Sequence, residues 1–223
     1  MIVLAAHGTR DPAGAVVVAE LAGLVRSRGV PVRVAYADVR EPDVTTVLDS
    51  LGGRPAVVVP AFLAAGYHVR ADIPAQVAAS GHPAVTVAAP LGPAAELLDV
   101  ACLRLRAAGY RQGDTVLLAA AGSSDDRALA DVRRAARAMA ARLETPVRIG
   151  YAATASPTVA EVAEVAREAG GRVAVASWLL APGLFQRRVQ DSGADVVADP
   201  LGAHPRVADL VLRRYFTALA DAA

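Results

Sequence analysis

Two histidines stand where chemistry is most easily done. His7 follows the apolar run Ile2–Ala6, in Ala6-His7-Gly8-Thr9, and His68 follows the apolar run Ala56–Val59, in Gly66-Tyr67-His68-Val69-Arg70. A neutral imidazole binds borderline divalent transition metals, and the same ring takes up or releases a proton near neutral pH. Two of them converging could hold a metal or act as an acid and a base; the other reading is a pair of hydrogen-bonded structural histidines. Asp38 closes a third apolar run, in Tyr36-Ala37-Asp38-Val39, and adds a carboxylate. Two imidazoles and a carboxylate would form a site of intermediate hardness with coordination positions left open. Taken alone, Asp38 also reads as an ordinary turn or capping acid. Arg10 and Arg70 stand close in sequence to the two histidines, where a guanidinium could grip an anionic ligand through bidentate carboxylate contacts. The other polar candidates read as structural. His82 and His204 each precede a proline in a turn, and Asp72, in Arg70-Ala71-Asp72-Ile73-Pro74, reads as the cap of a following helix.

Other chemistries are excluded by what the chain lacks. All 23 basic residues are arginine, so no phosphate-binding loop ending in Lys-Ser/Thr exists. Gly122-Ser123-Ser124 lacks the second glycine of a nucleophile elbow. His7-Gly8-Thr9 resembles the phosphohistidine type of phosphatase, but Ala6 stands where that chemistry needs an arginine clamp. The single cysteine, Cys102, allows neither an intramolecular disulfide nor a thiolate cluster, and its apolar surroundings predict a small buried hydrophobe. A net charge of +1, spread evenly along the chain, gives no footprint for nucleic acid. The longest uncharged stretch, residues 73–95, is broken by Pro74, Pro83, Pro90 and Pro93 and cannot be a membrane helix. The start of the chain carries no basic leader, so no membrane partner and a cytoplasmic location are expected.

The elements that must carry these residues alternate short, Val-rich apolar runs with longer amphipathic ones. Strands are predicted at 2–6, 32–39, 56–59, 85–89, 115–120, 147–153, 173–177 and 194–198, nearly continuously apolar as for parallel strands covered on both faces. Asp11-Pro12 and Ser156-Pro157 read as helix caps followed by proline at the first helical position. Such alternation predicts an α/β fold. The pattern also repeats. Residues 2–9 (IVLAAHGT) align with 116–123 (VLLAAAGS), 63–70 (LAAGYHVR) with 180–187 (LAPGLFQR), and Pro90-Leu91-Gly92 with Pro200-Leu201-Gly202. Two duplicated lobes are therefore expected, 1–110 and 111–223, each with a four-stranded, mostly parallel sheet flanked by helices. The copies differ in chemistry: Ala121 and Phe185 take the places of His7 and His68.

At these positions the sequence resembles the sirohydrochlorin chelatases, the class II (CbiX/SirB-type) tetrapyrrole chelatases. The resemblance rests on AAHGTRDP (5–12), AYADVREP (35–42), VVVPAFLAAGYHVRADIP (57–74), ASWLLAPGLFQRRV (176–189) and ADPLGAHP (198–205). It implies a chelatase-like fold and ATP-independent insertion of Fe²⁺ or Co²⁺ into sirohydrochlorin, in siroheme or cobalamin biosynthesis. It places the metal-binding histidines on His7 and His68 and the family's acidic residue on Asp38, the shorter Asp standing where Glu is frequent. No cofactor beyond the substrate metal is implied. A flat, carboxylate-rich substrate suits an apolar cleft with cationic edges, for which Phe62, Tyr67, Trp178, Leu184 and Phe185 are the aromatic and apolar candidates and Arg10 and Arg70 the clamps. A monomer or weak homodimer is expected. The competing reading is a metal or tetrapyrrole carrier without catalysis.

Overall fold

Why the apolar runs become strands is visible in their burial. In the computed structural model, which describes residues 1–222, β1 (Ile2–Ala6), β3 (Ala56–Pro60) and β7 (Val173–Trp178) are buried at every position, as central parallel strands covered on both faces must be. The first sheet has the order β2-β1-β3-β4, adding β2 (Val32–Tyr36) and β4 (Val85–Val87). The second has the order β6-β5-β7-β8, from β5 (Thr115–Ala120), β6 (Val147–Tyr151), β7 and β8 (Val196–Val197). Every pairing is parallel. The duplicated α/β architecture expected from the sequence is present.

The two sheets also share their register. Ile2 pairs with Val32 and Val57, and Val116, its counterpart, pairs with Val147 and Ala174. The β2 register therefore carries position 38 onto 153, and the β3 register carries 68 onto 185. Loop hydrogen bonds repeat as well. The Asp38 N–H donates to the His7 carbonyl (3.2 Å), and the Ala153 N–H donates to the Ala121 carbonyl (2.9 Å). Val39 and Thr154, one residue on, both hold positive φ, 71° and 63°.

The chain forms two compact units, and they divide differently from the sequence repeat. The first comprises Met1–Gly92 with Ala203–Ala223, the second Pro93–Gly202. In the first unit, α1 (Pro12–Arg26), α2 (Val44–Asp49), α3 (Ile73–Ser80) and α8 (Pro205–Asp221) accompany the sheet. The last helix is fastened there by the Arg28–Asp209 ion pair (2.8 Å) and by packing on α1, β3 and β4. In the second unit α4 (Ala95–Ala107) packs on β7 and α5 (Asp126–Leu143), with Arg142 paired to Asp99 (3.1 Å). The helices α6 (Val159–Glu168) and α7 (Leu184–Gln190) complete that unit. A boundary at residue 110 cuts the repeat, whereas the fold assigns the closing helix of each repeat to the other compact unit.

Capping follows the sequence at one predicted start and departs at another. Asp11 caps α1 by accepting from the Ala13 N–H (3.0 Å), with Pro12 in the first turn. Ser156-Pro157 does not open α6. Thr158 caps it instead, in a reciprocal capping box with Glu161, because that pair satisfies two N–H groups where a serine before proline could satisfy one. Cys102 is buried on α4, and burial raises the pKa of its thiol. Among the described residues, no helix is long and apolar enough to cross a membrane.

Candidate metal-binding site

The end of β1 delivers His7 to the carboxyl edge of the first sheet, the edge where open parallel sheets bind ligands. Its position depends on Gly8, whose φ of +88° belongs to the left-handed region and whose missing side chain admits the Asp38 backbone. A Cβ built there would lie 2.2 Å from the Asp38 carbonyl oxygen. The two loops are also joined by the Ala37 N–H to the Ala6 carbonyl (2.7 Å). Arg40, which the sequence reading passed over, adds a further tie. Its Nη1 donates to the Thr9 carbonyl (3.2 Å) while the guanidinium lies 5.8 Å from the centre of the Tyr36 ring.

His68 comes from a different device, a π-helical turn over His68–Asp72 that runs directly into α3. The Ile73 N–H closes that turn on the His68 carbonyl, and Ile73 is fully buried. Gln76, one turn on, donates from Nε2 to the Ala37 carbonyl (2.8 Å) and accepts the Val44 N–H on Oε1 (3.0 Å). The helix that carries His68 is thereby tied to the loop that holds Asp38 and, through it, to His7.

The two rings meet. Their centroids are 4.5 Å apart with planes at 86°, an edge-to-face arrangement. Phe62 lies 6.2 Å from His7 and 5.9 Å from His68, and Tyr67 lies 6.3 Å from His68. The hydrogen bonds decide which nitrogens are available. His7 Nδ1 is 2.9 Å from the Gly8 carbonyl, which can only accept, so the neutral ring donates from Nδ1 and keeps its lone pair on Nε2. His68 Nδ1 is 2.5 Å from Asp72 Oδ2, an ionised carboxylate being again an acceptor only, so His68 also keeps its lone pair on Nε2. When neutral, both imidazoles with these partners therefore present the lone pair of Nε2. His7 is exposed and the His68 side chain is 28% exposed, so a solute can reach them.

The remaining sequence candidates divide. Tyr67 is 66% exposed and Phe62 half-buried, both beside the histidines. Arg10 is exposed, and Arg70 donates from Nε to the Ala65 carbonyl (2.8 Å). Asp38 does not complete a three-residue ligand set. β2 ends at Tyr36, the Asp38 Oδ1 accepts its own neighbour's N–H at Val39 (2.7 Å), and among the described residues no three His, Cys, Asp or Glu side chains converge. Asp72 is corrected in the opposite direction. It makes no side-chain capping bond, and its carboxylate serves His68. Trp178 is only 2% exposed, because β7 runs one residue beyond its predicted end and takes the indole into the packed interior. Phe185 is half-buried against the core of the second unit, while Leu184 is 53% exposed.

In the second unit the framework persists without the chemistry. Gly122, at φ +93°, makes the same close approach, its Cβ position lying 1.8 Å from the Ala153 carbonyl oxygen. Yet the positions matching His7, Asp38, His68 and Asp72 are Ala121, Ala153, Phe185 and Val189. The backbone geometry is kept in the second unit while four polar side chains become apolar, so this framework does not itself require those side chains.

The sequence model of the CbiX family matches residues 1–108 and 115–218. No curated protein matches. Among solved structures, SirB from Bacillus subtilis with Fe³⁺ is 23% identical, with 99% of this chain and 96% of that chain covered at a TM-score of 0.81. SirB from Bacillus subtilis subspecies spizizenii in complex with cobalt is also 23% identical, covering 98% and 94% at 0.79. CbiX, the terminal enzyme for biosynthesis of siroheme in denitrifying bacteria, is 24% identical, covering 97% and 98% at 0.70. With the family pattern running through both repeats, and the same fold in these structures, the chain belongs to the CbiX family.

Proposed function

We propose that the protein inserts a divalent metal, Fe²⁺ or Co²⁺, into sirohydrochlorin without ATP, using His7 and His68. The observation that carries the reading is the edge-to-face imidazole pair with both Nε2 lone pairs left for a ligand. Insertion expels two pyrrole protons as the metal exchanges its protein ligands for the macrocycle. One nitrogen on each histidine suits both halves of that exchange: Nε2 holds the metal, and once the metal has left, the same lone pair accepts a proton. Borderline imidazole ligands hold such metals without the near-irreversible grip of thiolates, which favours release. The membership in the CbiX family and the fold shared with SirB, one structure of which contains Fe³⁺ and another cobalt, support the assignment.

Around the pair, Tyr67 and Phe62 offer aromatic surface to a flat ring, and Arg10 and Arg70 offer cationic groups to its carboxylates. Asp38 contributes its charge near the metal rather than a ligand in a preformed set. One chain supplies both histidines from one compact unit, so a monomer has what the chemistry needs. The test is anaerobic incubation of the pure protein with sirohydrochlorin and Fe²⁺ or Co²⁺, followed by absorbance. Many turnovers per protein, above the spontaneous rate and without ATP, are expected. A single stoichiometric binding event with no acceleration would make the protein a carrier and refute the enzyme.

A further inference from the structure

We propose that Asp72 is a positioning residue that fixes the tautomer and rotation of His68, so that Nε2 and not Nδ1 faces the metal. The inference rests on the proposed metal-insertion activity for its purpose, but its evidence is the geometry of the pair itself. Nδ1 and Oδ2 are 2.5 Å apart, and both side chains are about three-quarters buried, at 28% and 27% exposure, where a charge-assisted hydrogen bond is little screened. Asp72 occupies a helix start and has helical φ and ψ of −67° and −50°, yet it makes no capping bond there. Its carboxylate is spent on the imidazole.

The backbone is shaped for this contact. His68 and Asp72 are the two ends of the π-helical turn, a wider turn than the α-helical one, and π-turns recur at functional sites. The turn is held from outside by the buried Ile73 and by Gln76, so the carboxylate is presented from a fixed frame. The second unit supplies the contrast. At the matching positions the imidazole and the carboxylate are both gone, replaced by Phe185 and the buried Val189. A carboxylate kept for the helix alone would have no reason to disappear along with the ring. His7 reaches the same tautomer through the Gly8 carbonyl. The two ligands are thus oriented by unlike partners, one neutral and one ionic.

Carboxylates behind a metal-binding histidine set its tautomer and raise its basicity, and their loss costs about 10–100-fold in metal affinity. The experiment compares wild type with Asp72→Ala and Asp72→Asn at alkaline pH, where free imidazole is neutral. The His68 tautomer is read from two-bond proton–nitrogen correlations of the ring, and Co²⁺ affinity from competition with a chromogenic chelator. Wild type is expected to show the Nδ1–H form at both His7 and His68. Asp72→Ala should move His68 alone toward the Nε2–H form and weaken Co²⁺ binding about 10–100-fold, with a smaller loss in Asp72→Asn, whose amide oxygen still accepts. At saturating metal, kcat should recover more than kcat/KM for metal. An Nε2–H form of His68 in wild type, or an unchanged tautomer and affinity in Asp72→Ala, would overturn the proposal. If Asp72→Ala does not fold, Asp72→Asn decides by the same two readouts. Failure of wild type to turn over sirohydrochlorin would refute the proposed activity while leaving the tautomer result intact, so the two failures are distinguishable.

Discussion

Gly8 and Gly122 allow the same perturbation to be made in the unit that carries the histidine pair and in the one that does not. At Gly8 an added Cβ would sit 2.2 Å from the Asp38 carbonyl oxygen, more than 1 Å inside ordinary contact, and at Gly122 it would sit 1.8 Å from the Ala153 carbonyl oxygen. Both glycines hold left-handed φ, +88° and +93°, which costs an alanine about 1–2 kcal/mol. Relieving the clash must push the neighbouring loop away, which breaks the hydrogen bond from Asp38 to His7 or from Ala153 to Ala121, each worth about 1 kcal/mol. Gly8→Ala and Gly122→Ala are therefore each expected to destabilise their unit by about 2–4 kcal/mol. That loss should appear as a lower urea midpoint at an unchanged slope. Their effects on metal must differ. Gly8→Ala displaces His7 and should weaken Co²⁺ binding at least about tenfold, a misplacement of 1 Å being enough for such a loss. Gly122→Ala should leave Co²⁺ affinity within about twofold, since Ala121, which stands where His7 stands in the first unit, offers no ligand to a metal. Equal losses of Co²⁺ affinity in the two variants would refute confinement of the site to the first unit. Unchanged stability in both would refute the close-approach argument itself.

Three further outcomes follow from individual residues. Arg10→Ala should raise KM for the tetrapyrrole about 5- to 50-fold, as a lost charged hydrogen bond does, with Co²⁺ affinity unchanged; a changed metal affinity instead would remove Arg10 from the substrate side. Cys102, buried and with its thiol pKa raised by burial and so little ionised at neutral pH, should resist thiol reagents in the native protein and react once urea unfolds it; rapid native labelling would contradict its burial. The Glu161 pKa is lowered by its hydrogen bonds to Thr158, so its contribution to stability is complete above the ordinary value of 4.5 and is lost as pH falls below it through the folded pKa. The stability gap between wild type and Glu161→Gln should therefore shrink on acidification, and a gap that widens toward low pH would contradict the capping box.

The sequence made some features readable and hid others for physical reasons. Buried parallel strands leave unbroken Val-rich runs, so β1, β3, β5 and β7 were expected within a residue or two of where they lie. Duplication was readable because strand ends and tight turns need the same small residues in both copies, as Gly8 and Gly122 show. The histidine pair stands out in the sequence because the copies diverge there, with Ala121 and Phe185 at the matching positions. Asp72 was missed because an acid just before Ile-Pro has the composition of a helix cap, whereas in the structure it sits one turn after His68 and faces its ring. Asp38, read in the sequence either as a ligand or as a turn acid, has Oδ1 on the Val39 N–H, a local bond that a short carboxylate in a loop readily makes. The compact units were not legible at all. The amphipathic stripes of α4 and α8 state that one face is buried, and nothing in them states which sheet will bury it.

The most direct measurement of the central claim is the initial rate of anaerobic Co²⁺ insertion into sirohydrochlorin by wild type and by the His7→Ala/His68→Ala variant. Removing positioned ligands that also accept protons is expected to cost about 100-fold or more, bringing the variant to the spontaneous rate while its urea midpoint stays near that of wild type. A double variant that remains folded and inserts cobalt at the wild-type rate would contradict the assignment of the chemistry to these two histidines.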